Sequence, residues 1–274
     1  MSAPNSDSKQ ITHNMKRMNT QKKTRQKILL LFTIGFLSVF SIHAQQPTAK
    51  EIVEKADNLL RGESSYAEME MQIIRPSWSR TLRFNAWAKG DNYSLIYITF
   101  PQREKGQRFL KRSREMWNYV PAIDRMIKIP PSMMMQSWMG SDLTNDDLVN
   151  AASIVKDYDH KILRTETLRD RECYVIEMIP HEEAPVVWGK VITWISTKDY
   201  LNLRNEYYDE AHELVNEEIL DEIEDVGDRT IPTRYTVIPA NEEGHKTIMK
   251  FEKINFGANM EESFFSIQNM KQMR

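Results

Sequence analysis

Few residues in this chain are spaced for chemistry, and each pattern breaks before it is complete. His212-Glu213 opens the motif of a zinc protease, but position 216, where a second histidine would complete the metal pair, is Asn. The other histidines of the segment after residue 44 (His160, His181 and His245) read as exposed strand-end residues. Cys173 is the single cysteine, so no intramolecular disulfide can form. It lies in the apolar run Cys173-Tyr174-Val175-Ile176. That setting suits a buried structural thiol; the alternative is a nucleophile, which would need a thiolate-stabilising neighbourhood. Gly140-Ser141-Asp142-Leu143 has the wrong order for an esterase elbow. It reads better as a turn and helix start, with Thr144 and Asp147 placed for a capping box. Asp142, Thr144, Asp146 and Asp147 suggest calcium, yet the loop glycine is missing and the twelfth position is Ser153. No Gly-x-Ser-x-Gly and no phosphate loop occurs. These residues predict a protein without catalytic residues, metal or cofactor.

Two segments point to binding instead. In Pro130-Pro131-Ser132-Met133-Met134-Met135-Gln136-Ser137-Trp138-Met139, four methionines and a tryptophan crowd together. Methionine is unbranched and polarizable, and adaptable apolar binding surfaces use it. The plain reading is a loop plugging the core. The sharper one is a mobile apolar lid over a cavity, bracketed by Pro130, Pro131 and Gly140, with Trp117 and Tyr119 of the preceding strand close by. The lipid-contacting set is then Met133, Met134, Met135, Trp138, Met139, Trp117 and Tyr119. The second segment is basic: Arg103, Lys105, Arg108, Lys111, Arg112 and Arg114. It reads either as a solvated hairpin face or, through Arg103, Lys105 and Arg108, as a contact for anionic headgroups or an acidic partner.

These segments need elements to position them. Residues 1–44 carry seven Lys or Arg and one Asp, then the apolar run Ile28–Ile42 and the small Ala44. That order matches a secretory signal peptide; the alternative is an uncleaved anchor, for which 15 apolar residues are short. Without the leader, 30 basic residues face 38 acidic ones, a formal charge of −8. Such a balance argues against nucleic acid as a partner.

Residues 45–274 are expected to form a single domain. Thr48-Ala49-Lys50-Glu51 is a capping box, followed by Ile52, Val53, Ala56, Leu59 and Leu60 at helical spacing and a stop at Gly62. The rest alternates as strands: Met69–Ile73, Leu82–Ala88, Tyr93–Phe100, Ile162–Leu168, Cys173–Ile179, Val191–Ser196, Leu201–Tyr208, Thr233–Ile238 and Thr247–Phe256. Glu217–Val226 suits a helix or an acidic strand, and the Gly227-Asp228 turn after it favours a strand. Tyr93–Phe100 and Val191–Ser196 are apolar on both faces. Both their faces are covered, or one lines an apolar cavity.

Trp117-x-Tyr119-x-Pro121, then Arg125, Ile127 and Ile129, the methionine stretch, and Gly140-Ser141-Asp142-Leu143 through Asp147-Leu148 resemble the outer-membrane lipoprotein-sorting protein family. These are relatives of the periplasmic carrier LolA and the receptor LolB. The resemblance implies a mainly β (α+β) fold: a strongly curved antiparallel sheet, an unclosed barrel, with an N-terminal helix and short helices over its hollow apolar face. It implies a monomeric periplasmic carrier, with lipoprotein or lipid acyl chains as cargo. An inner-membrane exporter and an outer-membrane acceptor are the implied partners. A sensor of envelope stress, an accessory subunit of a lipid exporter and a hydrolase with an unrecognised site are the competing readings.

The leader yields a direct expectation. Intact-mass analysis of protein from the periplasm should give a chain starting near Gln45. A full-length form retained in the inner membrane would contradict it.

Overall fold

The structure is a computed structural model describing residues 46–150 and 153–273. The signal peptide expected at residues 1–44 lies outside these residues. Helix α1 (Ala49–Arg61) begins as its sequence requires. Thr48 N–H donates to Glu51 Oε2 at 2.7 Å, and Glu51 N–H donates to Thr48 Oγ1 at 3.3 Å. Gly62 ends it with φ 63°, a left-handed angle that glycine takes without strain. Its apolar stripe buries Ile52, Val53 and Ala56.

Everything else is organised by one antiparallel sheet of thirteen strands. The first six are β1 (Ser64–Arg75), β2 (Trp78–Lys89), β3 (Tyr93–Phe100), β4 (Arg108–Arg112), β5 (Glu115–Val120) and β6 (Arg125–Lys128). The remaining seven are β7 (Tyr158–Leu168), β8 (Arg171–Pro180), β9 (Lys190–Ser196), β10 (Asn202–Tyr208), β11 (Leu214–Val226), β12 (Arg229–Pro239) and β13 (Lys246–Phe256). The spatial order is β6-β5-β4-β3-β2-β1-β13-β12-β11-β10-β9-β8-β7. The sheet is therefore two meanders, each of sequential hairpins, sewn together where β1 pairs β13. It is curved and unclosed, with β6 and β7 as its edges. Glu217–Val226 is a strand, within β11.

The two edges are consecutive in the chain, so residues 129–157 must cross from one to the other. This strap contains helix α2 (Asn145–Asn150), opened by the Thr144–Asp147 capping box: Thr144 N–H donates to Asp147 Oδ2 at 2.7 Å and Asp147 N–H to Thr144 Oγ1 at 3.1 Å. The strap runs over the hollow face, because its Trp138 and Leu143 pack with Met71, Leu82, Phe84, Ile98 and Phe109. The other face of β3–β5 is covered by the C-terminal segment with helix α3 (Ile267–Gln272), whose Phe265 and Met270 pack on Leu95, Leu110 and Tyr119. That accounts for the two apolar faces of β3. On β9, Val191 and Ile195 face the hollow side with α1, while Trp194 packs with Cys173 and Val175 on the opposite face.

At the seam the ladder is uneven. β1 and β13 share ten residue pairs, but β12 and β13 pair only over Arg234–Val237. The first strand residues of β12 are not paired to β13, and here the end of α1 is fastened. Arg229 Nη1 donates to the carbonyls of Asn58 and Leu59, at 3.3 and 3.1 Å, and its guanidinium lies 4.1 Å over the Phe256 ring. A cation here satisfies the terminal carbonyls of the helix and its dipole.

The strap itself is held by Asp142. Its carboxylate takes Arg75 Nη2 at 2.9 Å and Nη1 at 3.1 Å and accepts from Thr247 Oγ1 at 2.7 Å. Both charged side chains are nearly buried, at 11% and 6% exposure. Removing one partner of such a pair leaves the other charge buried and unpaired, which costs about 3–5 kcal/mol. Asp142→Ala should therefore lower the urea midpoint by an amount equivalent to about 3 kcal/mol. Adding Arg75→Met should restore part of that loss.

Candidate functional site

Between α1, the strap and the second half of the sheet lies a cavity of about 400 Å³. Ligand pockets fall in the range of ~300–1,000 Å³. From α1 come Val53, Ala56 and Leu60; from the strap, Leu143, Leu148 and Ile154; from the sheet, Met178, Val191, Ile195, Leu220, Val237, Met249 and Phe251. The walls are thus predominantly aliphatic and thioether surface. Strand alternation places these side chains on one face: Leu220 lies opposite Tyr235, and Tyr235 opposite Met249.

One strip of the wall is polar. Asn205 Nδ2 and the Tyr207 hydroxyl both donate to Glu218 Oε2, at 2.8 and 2.9 Å. Asn202 Nδ2 donates to Asn205 Oδ1 at 3.0 Å, and Thr193 Oγ1 reaches Asn202 Oδ1 at 3.3 Å. All five residues line the cavity. Burial raises the Glu218 carboxyl above the usual carboxylate range, and the Asp147 charge adds to the rise, although the bonds from Asn205 and Tyr207 oppose it. Burial also raises Asp147, which lines the same cavity and accepts from Trp188 Nε1 at 2.9 Å. The Tyr207 and Tyr235 hydroxyls are pushed well up, first by burial and then by Glu218. The cavity is an apolar volume with a hydrogen-bonding stripe of acidic character.

The residues singled out from the sequence fall in three places. Trp138 is 1% exposed and fills the first half of the hollow. It makes edge contacts with Phe84 and Phe109 at ring separations of 5.6 and 5.5 Å. Met133, Met134 and Met139 pack against the same cluster, while Met135 stays 55% exposed. None of the five lines the cavity; the strap contributes to it from Leu143 onward. Trp117 and Tyr119 are brought to the opposite face, in the cluster under α3, rather than beside Trp138. Alternation along β5 is the reason: Met116 faces the hollow, so Trp117 and Tyr119 straddle its other side.

The basic segment also divides. Arg103 and Lys105 are exposed in the turn before β4. Arg108 is buried instead, its guanidinium 5.1 Å from the rings of both Tyr97 and Tyr119 and bonded to the Met273 carbonyl. Lys111 is buried too, and desolvation pushes its ammonium down to about 8. The segment is consequently a pair of strands, β4 and β5, and not a wholly solvated face. Cys173 is fully buried, and burial raises its thiol, as suits a structural role. Among the described residues, no group of His, Cys, Asp and Glu is arranged to hold a metal.

Sequence reasoning missed Asn205 and Glu218. The available signal was their parity: Asn216, Glu218 and Leu220 share one face of β11, so a carboxylate sits in an inward register.

Comparison with known proteins places this geometry. A family model whose description reads "Uncharacterized protein" matches residues 90–272. No curated protein matches the chain. A DUF1329 family protein from Desulfovibrio piger is similar at 25% identity and a TM-score of 0.76, covering 81% of this chain and 97% of its own. A LolA superfamily protein from Nitrosomonas europaea gives 22% and 0.72, with coverage of 81% and 99%. An outer membrane lipoprotein-sorting protein domain from Vibrio parahaemolyticus gives 21% and 0.71, with coverage of 82% and 98%. The resemblance carried by Trp117–Leu148 is borne out at the level of fold.

The raised Glu218 carboxyl has a stability signature. An acid whose folded pKa exceeds its unfolded value, ~4.3 for Glu, costs nothing below that value. As pH rises from there towards the folded pKa, the unfolded state sheds its proton first and stability falls. Asp147 acts in the same direction; the Tyr207 and Tyr235 hydroxyls stay neutral throughout this window. Glu218→Gln should therefore match the native protein in stability near pH 4 and become progressively more stable than it towards pH 7. Urea unfolding of both proteins across that range checks the sign.

Proposed function

The chain belongs to the family whose model matches residues 90–272 and has the fold of the LolA superfamily and of outer-membrane lipoprotein-sorting domains; on that premise we propose that it is a periplasmic lipid carrier. It shields acyl chains in the cavity beneath α1 while they cross water towards the outer membrane. The cavity is the observation that carries this reading: about 400 Å³ of mainly apolar volume bounded by a helix, a strap and a curved sheet. Removing each CH₂ from water yields roughly 0.8 kcal/mol, so a chain of about fifteen carbons is worth on the order of 12 kcal/mol before ordering costs. Holding and releasing such a chain needs no catalytic group.

The fold supports a division of labour within the strap. Residues 133–143 are the structural part, wedged by Trp138 and pinned by Asp142. Leu148 of α2 and Ile154, together with α1, line the cavity and are the part that moves when cargo enters. Arg103 and Lys105, exposed on the β3–β4 turn, are free to meet a headgroup or an acidic partner, whereas Arg108 serves packing.

Lipid extracted from protein purified from its own periplasm should contain acyl chains in about equimolar amount, measured by mass spectrometry. Leu60→Trp, which projects into the cavity from α1, should reduce the bound lipid several-fold while leaving the circular dichroism of the sheet unchanged. Protein that carries no lipid and binds none added would refute the carrier reading.

A further inference from the structure

The polar strip is an expensive feature for a site that holds only hydrocarbon. Burying a carboxyl and two hydroxyls in an apolar wall costs free energy unless each is hydrogen-bonded. The strip is satisfied on one side only. Glu218 Oε2 receives both Asn205 and Tyr207, while Oε1 has no protein partner among the described residues. The Tyr235 hydroxyl likewise has none, its ring being held by Phe251 at 5.7 Å. Tyr235 lies opposite Leu220, two residues along β11 from Glu218 and on the same face. Diagonal neighbours of this kind are within reach of long side chains. Both residues line the cavity. Two polar groups on neighbouring strands thus line the same cavity wall without a partner of their own among the described residues.

We propose that the cavity takes an acyl ester rather than a bare hydrocarbon tail, its ester carbonyl received by the Glu218 carboxyl and the Tyr235 hydroxyl. This rests on the carrier reading and names its cargo class. Two donors on Oε2 make that oxygen the acceptor of the carboxyl, and burial favours the neutral form, whose proton is then carried by Oε1. No cation offsets the burial of Glu218, and the one charge that acts on it, Asp147, raises it further. A neutral carboxyl and a phenol are both donors, and an ester carbonyl accepts two hydrogen bonds through its two lone pairs. A free fatty-acid carboxylate is disfavoured, because it would bring a full charge into an apolar wall near Asp147 without a counter-charge. Neutral ester occurs in free glycerides and in the diacylglyceryl group of lipoproteins, and the cavity chemistry is common to both.

The test is displacement of N-phenyl-1-naphthylamine fluorescence from delipidated protein. Methyl hexadecanoate should displace the probe at about tenfold lower concentration than hexadecane, and hexadecanoate should be weaker than the ester. Dihexadecanoylglycerol and a dihexadecanoylglyceryl-cysteine lipopeptide extend the series; tight binding of either supports the proposal, and the tighter one names the source. Tyr235→Phe should cut the ester preference several-fold, and Glu218→Leu with Tyr235→Phe should abolish it while hexadecane still binds. Glu218→Gln, which keeps an acceptor for Asn205 and Tyr207 and a donor for the cavity, should retain the preference. If Glu218→Leu does not fold, Tyr235→Phe alone decides. Equal displacement by ester and alkane, or a preference untouched by Tyr235→Phe, overturns the proposal and leaves the carrier reading standing. If nothing displaces the probe, hexadecane included, the carrier reading itself fails.

Discussion

The architecture depends on one topological obligation: the chain finishes its first meander at one edge of the sheet and must begin its second at the other. Strands β6 and β7 are neighbours in sequence and farthest apart in the sheet. The link between them has to cross the hollow face, and whatever crosses there decides how much of the hollow is filled. The Asp142 carboxylate fixes that crossing at the centre, against Arg75 of β1 and Thr247 of β13, the two strands of the seam. Ahead of that anchor the strap is bulky, with Trp138 buried against Phe84 and Phe109, and the hollow is full. Beyond it the strap thins to Leu143, Leu148 and Ile154, and the hollow stays open as the cavity. One buried ion pair thus divides a continuous concave surface into a core and a container.

The container is not uniformly apolar, and its chemistry follows from strand register. Because side chains alternate, Asn216, Glu218 and Leu220 of β11 must share a face, and that face is the cavity wall. Asn205 and Tyr207 of β10 join Glu218 by the same rule. The strip is built from three adjacent strands, so its geometry is as rigid as the ladder that carries it. An apolar site with a fixed polar spot orients what it holds, whereas a methionine surface only accommodates it.

Local signals were readable in the sequence and tertiary ones were not. Thr48 and Glu51 closed α1 as their spacing demanded, and the alternation of Met69–Ile73 and Leu82–Ala88 named β1 and β2 with only their ends misplaced. Gly227-Asp228 correctly turned the acidic run into β11. The basic segment misled, because Arg108 is covered by Tyr97 and Tyr119 across the sheet and by the Met273 carbonyl after α3, none of them its neighbour in sequence. The methionine run pointed to apolar packing without saying on which side of Asp142 the cavity would lie. Glu218 was invisible for a related reason. A single acid in an acidic strand looks solvated until its neighbours across the ladder are known.

The uneven seam carries a consequence for how the molecule folds and breathes. Within each meander every strand pairs with its neighbour in sequence, so both halves are rich in local contacts and cheap in loop entropy. The β1–β13 ladder is different: it joins residues near 65–74 to residues near 246–256 and closes the longest loop in the sheet. Its companion ladder, β12–β13, is four pairs long, and the gap beside it is stitched by Arg229 to the end of α1. Arg229 thus couples the end of the helix to the seam, so that the two are held together by one side chain. The short β12–β13 ladder therefore lies next to the helix that roofs the cavity, and a local opening there would break fewer ladder bonds than opening any other part of the seam.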